Sequence, residues 1–373
     1  MRAEESTRRV AAVRGRLTDL RLDTLVVTSP ENVRYLSGFT GTLGYLVIGG
    51  DGAEILGDSR YWLQMEAEAP AFTLVRSVAS SGLFALLADR LKGLAPRRVG
   101  FESQHLTVDQ HRRLVESLPA DVALVPTAGL VEELRMLKTP DEVELLRQVA
   151  GIASRAFDRV RSVIRPGLRE RDVAFLLEQT FRELGADGPA FDTIVAAGEH
   201  GALPHGRASD RVLAHGDLVV VDFGALAGGY HSDTTRTIVI GEPTPEQTRV
   251  IDAVRQAQTE SMALMRPGVT ADSVDRRARD VLAAEAHAFG HGLGHGIGLM
   301  VHERPFLSPT DQTPLQAGMV LTIEPGIYLP DRGFGVRIED EVLVTETGAR
   351  LLTDGLPRTA DEVERWMAAR LPR

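Results

Sequence analysis

Two aspartates pose the first question about what this chain does. Asp222 ends the apolar run Val219-Val220-Val221, and Asp233 follows a turn through Gly228-Gly229. Aspartate is a poor strand former, and an ionised carboxylate is costly to bury without a partner. Two of them, on strands folded back on each other, form a pair aimed at positive charge. Four further stretches belong with them: "ALPHGRAS" with His205, "HGLGHGIGLMVHE" with His291, His295 and His302, "LTIEPGIY" with Glu324, and "GVRIEDEV" with Arg337 and Glu339. Each falls at an expected strand end or in a glycine-rich loop, where side chains converge on a cleft. Asp222, Asp233, His295, Glu324 and Glu339 together offer four carboxylates and one imidazole. So oxygen-rich a set suits a pair of divalent cations such as manganese, which bridging carboxylates hold about 3.5–4 Å apart. Without cations, four clustered carboxylates would repel one another and some would protonate. Taken singly, each residue has a plainer reading: Asp222 or Asp233 as a turn residue, His295 as a loop histidine, and Glu339-Asp340-Glu341 as a solvated run. The five together, in this order, carry the chemical reading.

The elements that must position these residues are legible as periodic segments. The first third alternates helix and strand: a helix near 5–20, strands "TLVVT", 43–49, 53–57, "FTLV", "RRVGF" and "VALVP", and helical "LFALLADRLKGL" and "VDQHRRLVESL". Ser29-Pro30-Glu31 reads as a helix start and Asp51-Gly52 as a hairpin turn. This predicts an α/β domain over 1–127 and a second domain over 128–373. In the second, helices near 141–163 and 169–184 precede strands near 191–197 and 217–240. A similar pair, 245–265 and 270–286, precedes strands near 296–301, 318–329 and 335–345. Each pair is joined by an Arg-Pro-Gly turn, "RPGLRERD" and "RPGVTADS". The repeat predicts a duplicated unit with helices on one side of a curved antiparallel sheet, and an α/β (α+β) chain overall. Glycines 292, 294, 296 and 298 permit a tight backbone path.

Composition narrows the partners. The 373 residues carry 42 basic and 52 acidic side chains, a formal charge of −10, which argues against nucleic acid and anionic membranes. With no cysteine there is no disulfide, no thiolate nucleophile and no cysteine-based zinc site. No segment reaches the about 18 apolar residues of a membrane span, and the N-terminus has no signal-peptide core. A cytoplasmic protein is expected.

The region from about 140 to 355 resembles the pita-bread metallopeptidase superfamily, whose centre is built from Asp, Asp, His, Glu and Glu. "GHGIGLMVHE", "TIEPGIY" and "GVRIEDEV" are similar to the branch of aminopeptidase P and prolidase, which cut before proline. "NVRYLSGFTG" and "DSRYW" resemble the creatinase-type N-terminal domain of that branch. The resemblance implies two divalent ions, manganese first, with cobalt or zinc as alternatives. It places Asp222 on one ion, His295 and Glu324 on the other, and Asp233 and Glu339 as bridges. It further implies that His205 and His302 contact substrate and steady a tetrahedral intermediate, that Glu324 carries a proton to the leaving nitrogen, and that His291 and Tyr328 line the proline pocket. Arg337 resembles the arginine that steadies a liganding carboxylate. His200, His215, His231 and His287 have no such match and read as surface or packing residues.

Prolidases place an arginine where this chain has Phe306, and Arg304 stands two places earlier. The expectation is therefore an Xaa-Pro aminopeptidase acting on longer peptides with proline second, with an Xaa-Pro dipeptidase as the alternative. A metal-free creatinase-like hydrolase is disfavoured by five intact ligand positions, as is a catalytically inactive peptide-binding module. The resemblance also implies a homodimer, contacting through 38–41 and 58–62.

Overall fold

The computed structural model describes residues 3–77, 82–353 and 355–368. The chain divides into two compact units, Met1–Arg135 and Met136–Arg373. The division falls after Arg135 rather than after residue 127. The helix Leu130–Met136 is tied to the first unit, with Arg135 donating to Asn32 Oδ1 at 2.8 Å and Tyr35 donating to Leu134 O at 3.2 Å.

The first unit is a six-stranded mixed sheet in the order Thr73–Arg76, Ala53–Gly57, Tyr45–Gly49, Thr24–Val27, Arg98–Glu102, Ala123–Thr127. Ser29 caps the helix Pro30–Ser37 by accepting from Asn32 N, as Ser-Pro-Glu predicts. Val26, Val47 and Leu56 on the sheet pack with Leu83, Leu87 and Leu91 of the helix Gly82–Leu94. The two stretches expected to reach a second chain meet each other inside this unit. Phe39 packs edge-on against Tyr61 at 5.6 Å, and Thr42 Oγ1 bonds Tyr61 Oη at 2.6 Å.

The second unit repeats its own plan. The helices Pro140–Arg161 and Pro245–Leu264 both begin with threonine, Thr139 and Thr244, in a complete capping box followed by proline. Each box satisfies two otherwise orphaned backbone N–H groups. In both Arg-Pro-Gly turns the glycine, Gly167 or Gly268, lies at positive φ, 94° and 88°. Shorter helices follow at Glu170–Glu183 and Ala271–Leu282.

Strand pairing in this unit is antiparallel throughout. One sheet runs Thr234–Val239, Leu218–Phe223, Ile194–Ala197; another runs Glu303–Leu307, Gly294–Gly296, Val320–Ile323, Asp340–Val344, Ala349–Leu351. Gly326–Leu329 pairs with Phe334–Arg337. Helix residues Val250, Ile251, Val254 and Val274 share one core with Leu321, Ile323, Ile327, Val336 and Val342 of the strands. That is the predicted arrangement of helices against an antiparallel sheet.

Three predicted strands are each broken in two or more. The 217–240 segment divides after Phe223 and again before Thr234; 318–329 divides at Glu324-Pro325; 335–345 divides at Ile338-Glu339. Pro325 has no N–H to give a ladder. At Gly224 a Cβ would lie 1.9 Å from Ser232 O, so only glycine allows that crossing of backbones. The expected 296–301 strand is instead Gly294–Gly296 followed by bends, and Glu303–Leu307 is a strand that the prediction lacks. The bend arises because Glu303 accepts from Met300 N at 3.0 Å and Gly298 N donates to Met300 O at 3.0 Å. The C-terminal helix Ala360–Ala368 was likewise not predicted.

Candidate metal centre

The strand breaks coincide with the carboxylates. Asp222 sits one residue from the end of Leu218–Phe223, Asp233 immediately precedes Thr234–Val239, Glu324 follows Val320–Ile323, and Glu339 lies between Phe334–Arg337 and Asp340–Val344. In the register of the first pair, Thr235 faces Asp222, which holds Asp233 close by across the ladder. The hairpin between them closes through Gly228 and Gly229, both at positive φ (57° and 79°), the conformation a two-residue hairpin turn requires.

His295 reaches the same cleft from the middle of Gly294–Gly296. A Cβ at position 294 would lie 2.0 Å from Thr322 O, and one at 296 would lie 2.4 Å from Arg304 O. Glycine on both sides therefore lets the neighbouring strands close around the histidine. Its Nδ1 is 3.0 Å from Gly296 O, a group that only accepts, so the proton sits on Nδ1 and the Nε2 lone pair is free. Nε2 lies 3.6 Å from Asp233 Oδ2 and 3.5 Å from Glu324 Oε1. Burial pushes the imidazole down to about 4, with help from His302, and keeps it neutral.

Ligand atoms fall into three overlapping sets, each within 4.8 Å: Asp222 with Asp233 and Glu339, His295 with Glu324 and Glu339, and Asp233 with His295 and His302. Asp233, His295 and Glu339 each belong to two sets. Four buried carboxylate oxygens, Asp222 Oδ1, Asp233 Oδ1, Glu339 Oε1 and Glu341 Oε2, have no hydrogen-bond partner among the described residues. Burial, and then repulsion from Glu339, Asp222 and Glu324, raises Asp233 well above the carboxylate range. Glu324 is raised in the same way, by burial and Glu339, and Glu339 is pushed up to about 8 by burial and Asp222. Orphaned acceptors and mutually repelling carboxylates around one neutral imidazole fit a pair of hard divalent cations.

The other predicted residues surround this set. Arg337 donates to Asp222 Oδ2 at 2.7 Å, Tyr328 Oη at 2.8 Å and Pro204 O at 3.0 Å. Burial opposes its charge, but Tyr328, Asp222, Glu324 and Glu339 outweigh that and hold it firmly protonated. His291 Nδ1 faces Gly292 O at 2.8 Å, so its Nε2 accepts from Tyr328 Oη at 3.0 Å. A chain Arg337–Tyr328–His291 thus runs along one wall. Burial drives His291 down to about 4 and Tyr328 up to about 12. His302 stacks edge-on to His295 with centroids 4.4 Å apart, and both it and His205 line the cleft, whose volume is about 860 Å³.

Sequence reasoning missed the supports. Glu339, Asp340 and Glu341 are 1, 0 and 0 % exposed, so the acidic run is buried, contrary to its solvated reading. Thr235 donates to Glu339 Oε2 at 2.7 Å and accepts from Arg337 Nε at 3.1 Å, while Glu341 accepts from Asp233 N at 2.9 Å. Glu170, fully buried, accepts from Ala197 N and Ser209 N at 2.8 and 3.0 Å and meets His200 Nδ1 at 2.9 Å. It clasps both ends of the loop carrying His205.

Known proteins resemble this chain over nearly its whole length. The pattern of metallopeptidase family M24 matches residues 144–346, and that of the creatinase/prolidase N-terminal domain matches residues 9–137. The chain belongs to metallopeptidase family M24, the pita-bread hydrolases, and carries the creatinase/prolidase N-terminal domain. It is 38 % identical to the Xaa-Pro dipeptidase of Pyrococcus furiosus over 336 residues, 89 % of this chain and 93 % of that one. Among solved structures it matches the Xaa-Pro dipeptidase from Bacillus anthracis with a TM-score of 0.91 and 37 % identity, covering 95 % of this chain and 99 % of that one. The X-Pro aminopeptidase from Thermotoga maritima MSB8 matches at 0.84 and 37 %, covering 92 and 99 %. No helix among the described residues is long and apolar enough to cross a membrane.

Proposed function

We propose that the protein is an Xaa-Pro dipeptidase, a metal-dependent hydrolase that cleaves the bond between a first residue and a terminal proline. The observation that carries this choice is the end-to-end similarity to the Pyrococcus furiosus protein of that name, at 38 % identity. It replaces the expectation of an aminopeptidase, which rested on Phe306. Along Glu303–Leu307 burial alternates, so Arg304 and Phe306 project from the same exposed face, and both line the cleft. A guanidinium is therefore present on that wall for the free carboxylate of a dipeptide, which it can bind with two charge-assisted hydrogen bonds.

Asp222 would hold one ion and His295 with Glu324 the other, with Asp233 and Glu339 shared. The oxygen-rich donors favour manganese, with cobalt or zinc as substitutes. Bound there, the ions would supply Lewis acidity and a water that ionises near neutral pH. This chain's own residues do the rest. His302 and His205 face the scissile carbonyl and donate to its oxygen as negative charge develops. Glu324 carries the proton to the proline nitrogen, which as a tertiary amide has none of its own. His291 and Tyr328 shape the ring pocket, and Arg337 fixes Asp222. We extend the reading to a cytoplasmic homodimer, with Arg60 and Leu63 of the first unit exposed for contact.

A second reading keeps the aminopeptidase, favoured by Phe306, 43 % exposed on the cleft wall, and by the Thermotoga maritima structure. Assaying Xaa-Pro against Xaa-Pro-Xaa peptides with manganese-loaded protein separates them. The dipeptide should have the higher kcat/KM, and Arg304→Ala should lower it by about 10-fold for dipeptides alone, the scale of a partly exposed charge pair of about 1 kcal/mol. A higher kcat/KM for the longer peptide would restore the aminopeptidase.

A further inference from the structure

A second, smaller cleft of about 380 Å³ lies between the helix Pro140–Arg161 and the strand Ala349–Leu351, sharing no residue with the metal-site cleft. It is lined by Arg147, Gly151, Ser154, Arg155, Arg350, Leu351 and Leu352, with no carboxylate among the described lining residues. Positions 147, 151, 154 and 155 fall on one face of the helix, at the spacing that brings side chains together. Many guanidinium groups among the described residues pair with a carboxylate, Arg211 with Asp217 and Arg279 with Asp275 among them. Here only Arg147 does, donating to both oxygens of Glu144. Arg155 and Arg350 have no hydrogen-bond or ion-pair partner among the described residues. Arg155 folds back along the helix, with Nη1 3.3 Å from where a Cβ on Gly151 would stand, so the glycine makes room for the guanidinium. Ser154 is only 7 % exposed, and its hydroxyl has no hydrogen-bond partner among the described residues. A mid-helix serine ordinarily bonds the carbonyl four residues back.

Arg155 and Arg350, exposed at the cleft beside an orphaned buried hydroxyl, leave their donors free for an acceptor from outside. We propose that this cleft binds a small, multiply charged oxyanion of the phosphate class. Arginine forks match phosphate oxygens bidentately, which a single halide or a neutral ligand could not exploit. The volume sits at the low end of small-molecule sites, leaving space beside a phosphate for a small apolar part against Leu351 and Leu352.

The test is calorimetric titration of inorganic phosphate into the metal-loaded full chain at low salt. Wild type should show one saturable site away from the metals, and R155Q/R350Q should weaken it by at least about 10-fold while leaving peptide hydrolysis in phosphate-free buffer unchanged. R155A/R350A gives the same readout should the glutamines themselves bond phosphate. The proposal is overturned by the lack of saturable binding in wild type. It is equally overturned by phosphate binding that survives both double variants and disappears in D233A, which would assign the anion to the metal centre.

Discussion

Two buried acidic neighbours, Glu339 and Asp340, meet opposite fates one residue apart. Both are essentially inaccessible to solvent. Asp340 accepts from Arg236 Nη2 at 2.6 Å, Thr353 Oγ1 at 2.6 Å, Gln258 Nε2 at 2.9 Å and Arg358 Nε at 2.7 Å. Burial works against its charge, yet Arg236 and Arg358 hold it below the usual carboxylate range. Glu339 points the other way, into Asp222, Asp233 and Glu324, and is pushed up to about 8. One carboxylate is neutralised by the chain itself and locks two strands; the other is left to be neutralised by ions. Burial alone therefore does not distinguish a structural acid from a ligand. The partner list does.

The largest break in that comparison is to remove a shared ligand. Asp233→Ala should lower kcat/KM by roughly 10³-fold or more, the loss of several kcal/mol of charge stabilisation. Steady-state kinetics with excess manganese checks it, while circular dichroism should report an unchanged fold. Asp340→Asn, one residue from Glu339, should act on stability instead. Breaking a buried pair costs about 3–5 kcal/mol, which urea unfolding of the metal-loaded protein would register. His302→Ala is expected to reduce kcat by on the order of 10²-fold, the scale of one oxyanion donor, with metal content unchanged. Equal metal loss in His302→Ala and His295→Ala would show that the two histidines had been assigned the wrong way round.

A further effect is one of pH on chelated protein. Folding raises Glu339 from its ordinary 4.5 to about 8, so the folded state holds the proton more tightly than the unfolded one. That contribution is complete below about 4.5 and is lost as pH rises to about 8, by at most about 1.4 kcal/mol per unit. The chelated protein should therefore melt at falling temperature from pH 5 towards 8, and manganese should abolish the decline, because bound cations keep the carboxylates ionised.

Much of this was legible in the sequence, for definite reasons. Helices announced themselves through threonine-proline starts and 3.6-residue periodicity, and the carboxylates and histidine that the structure gathers in one cleft through the motifs that carry them. What escaped were long-range partners. Nothing local tells that Arg236 will face Asp340, or that Thr235 will bridge Arg337 and Glu339, because both depend on how the two halves of the second unit meet. Strand breaks at Gly224, Pro325 and Ile338 are hard to read because apolar segments resume on the far side of each. Arg304 and Phe306 were weighed as alternatives because their order along the chain was read, and the shared face that a two-residue period gives them was not.

The central claim is that the orphaned carboxylates form a two-ion centre, and metal analysis tests it most directly. Manganese-loaded wild type, dialysed and quantified by atomic emission, should carry two ions per chain. Glu339→Ala, which removes a ligand shared by two of the three sets, should carry fewer than one. Full peptidase activity in wild type stripped of metal, or two ions retained in Glu339→Ala, would contradict the account.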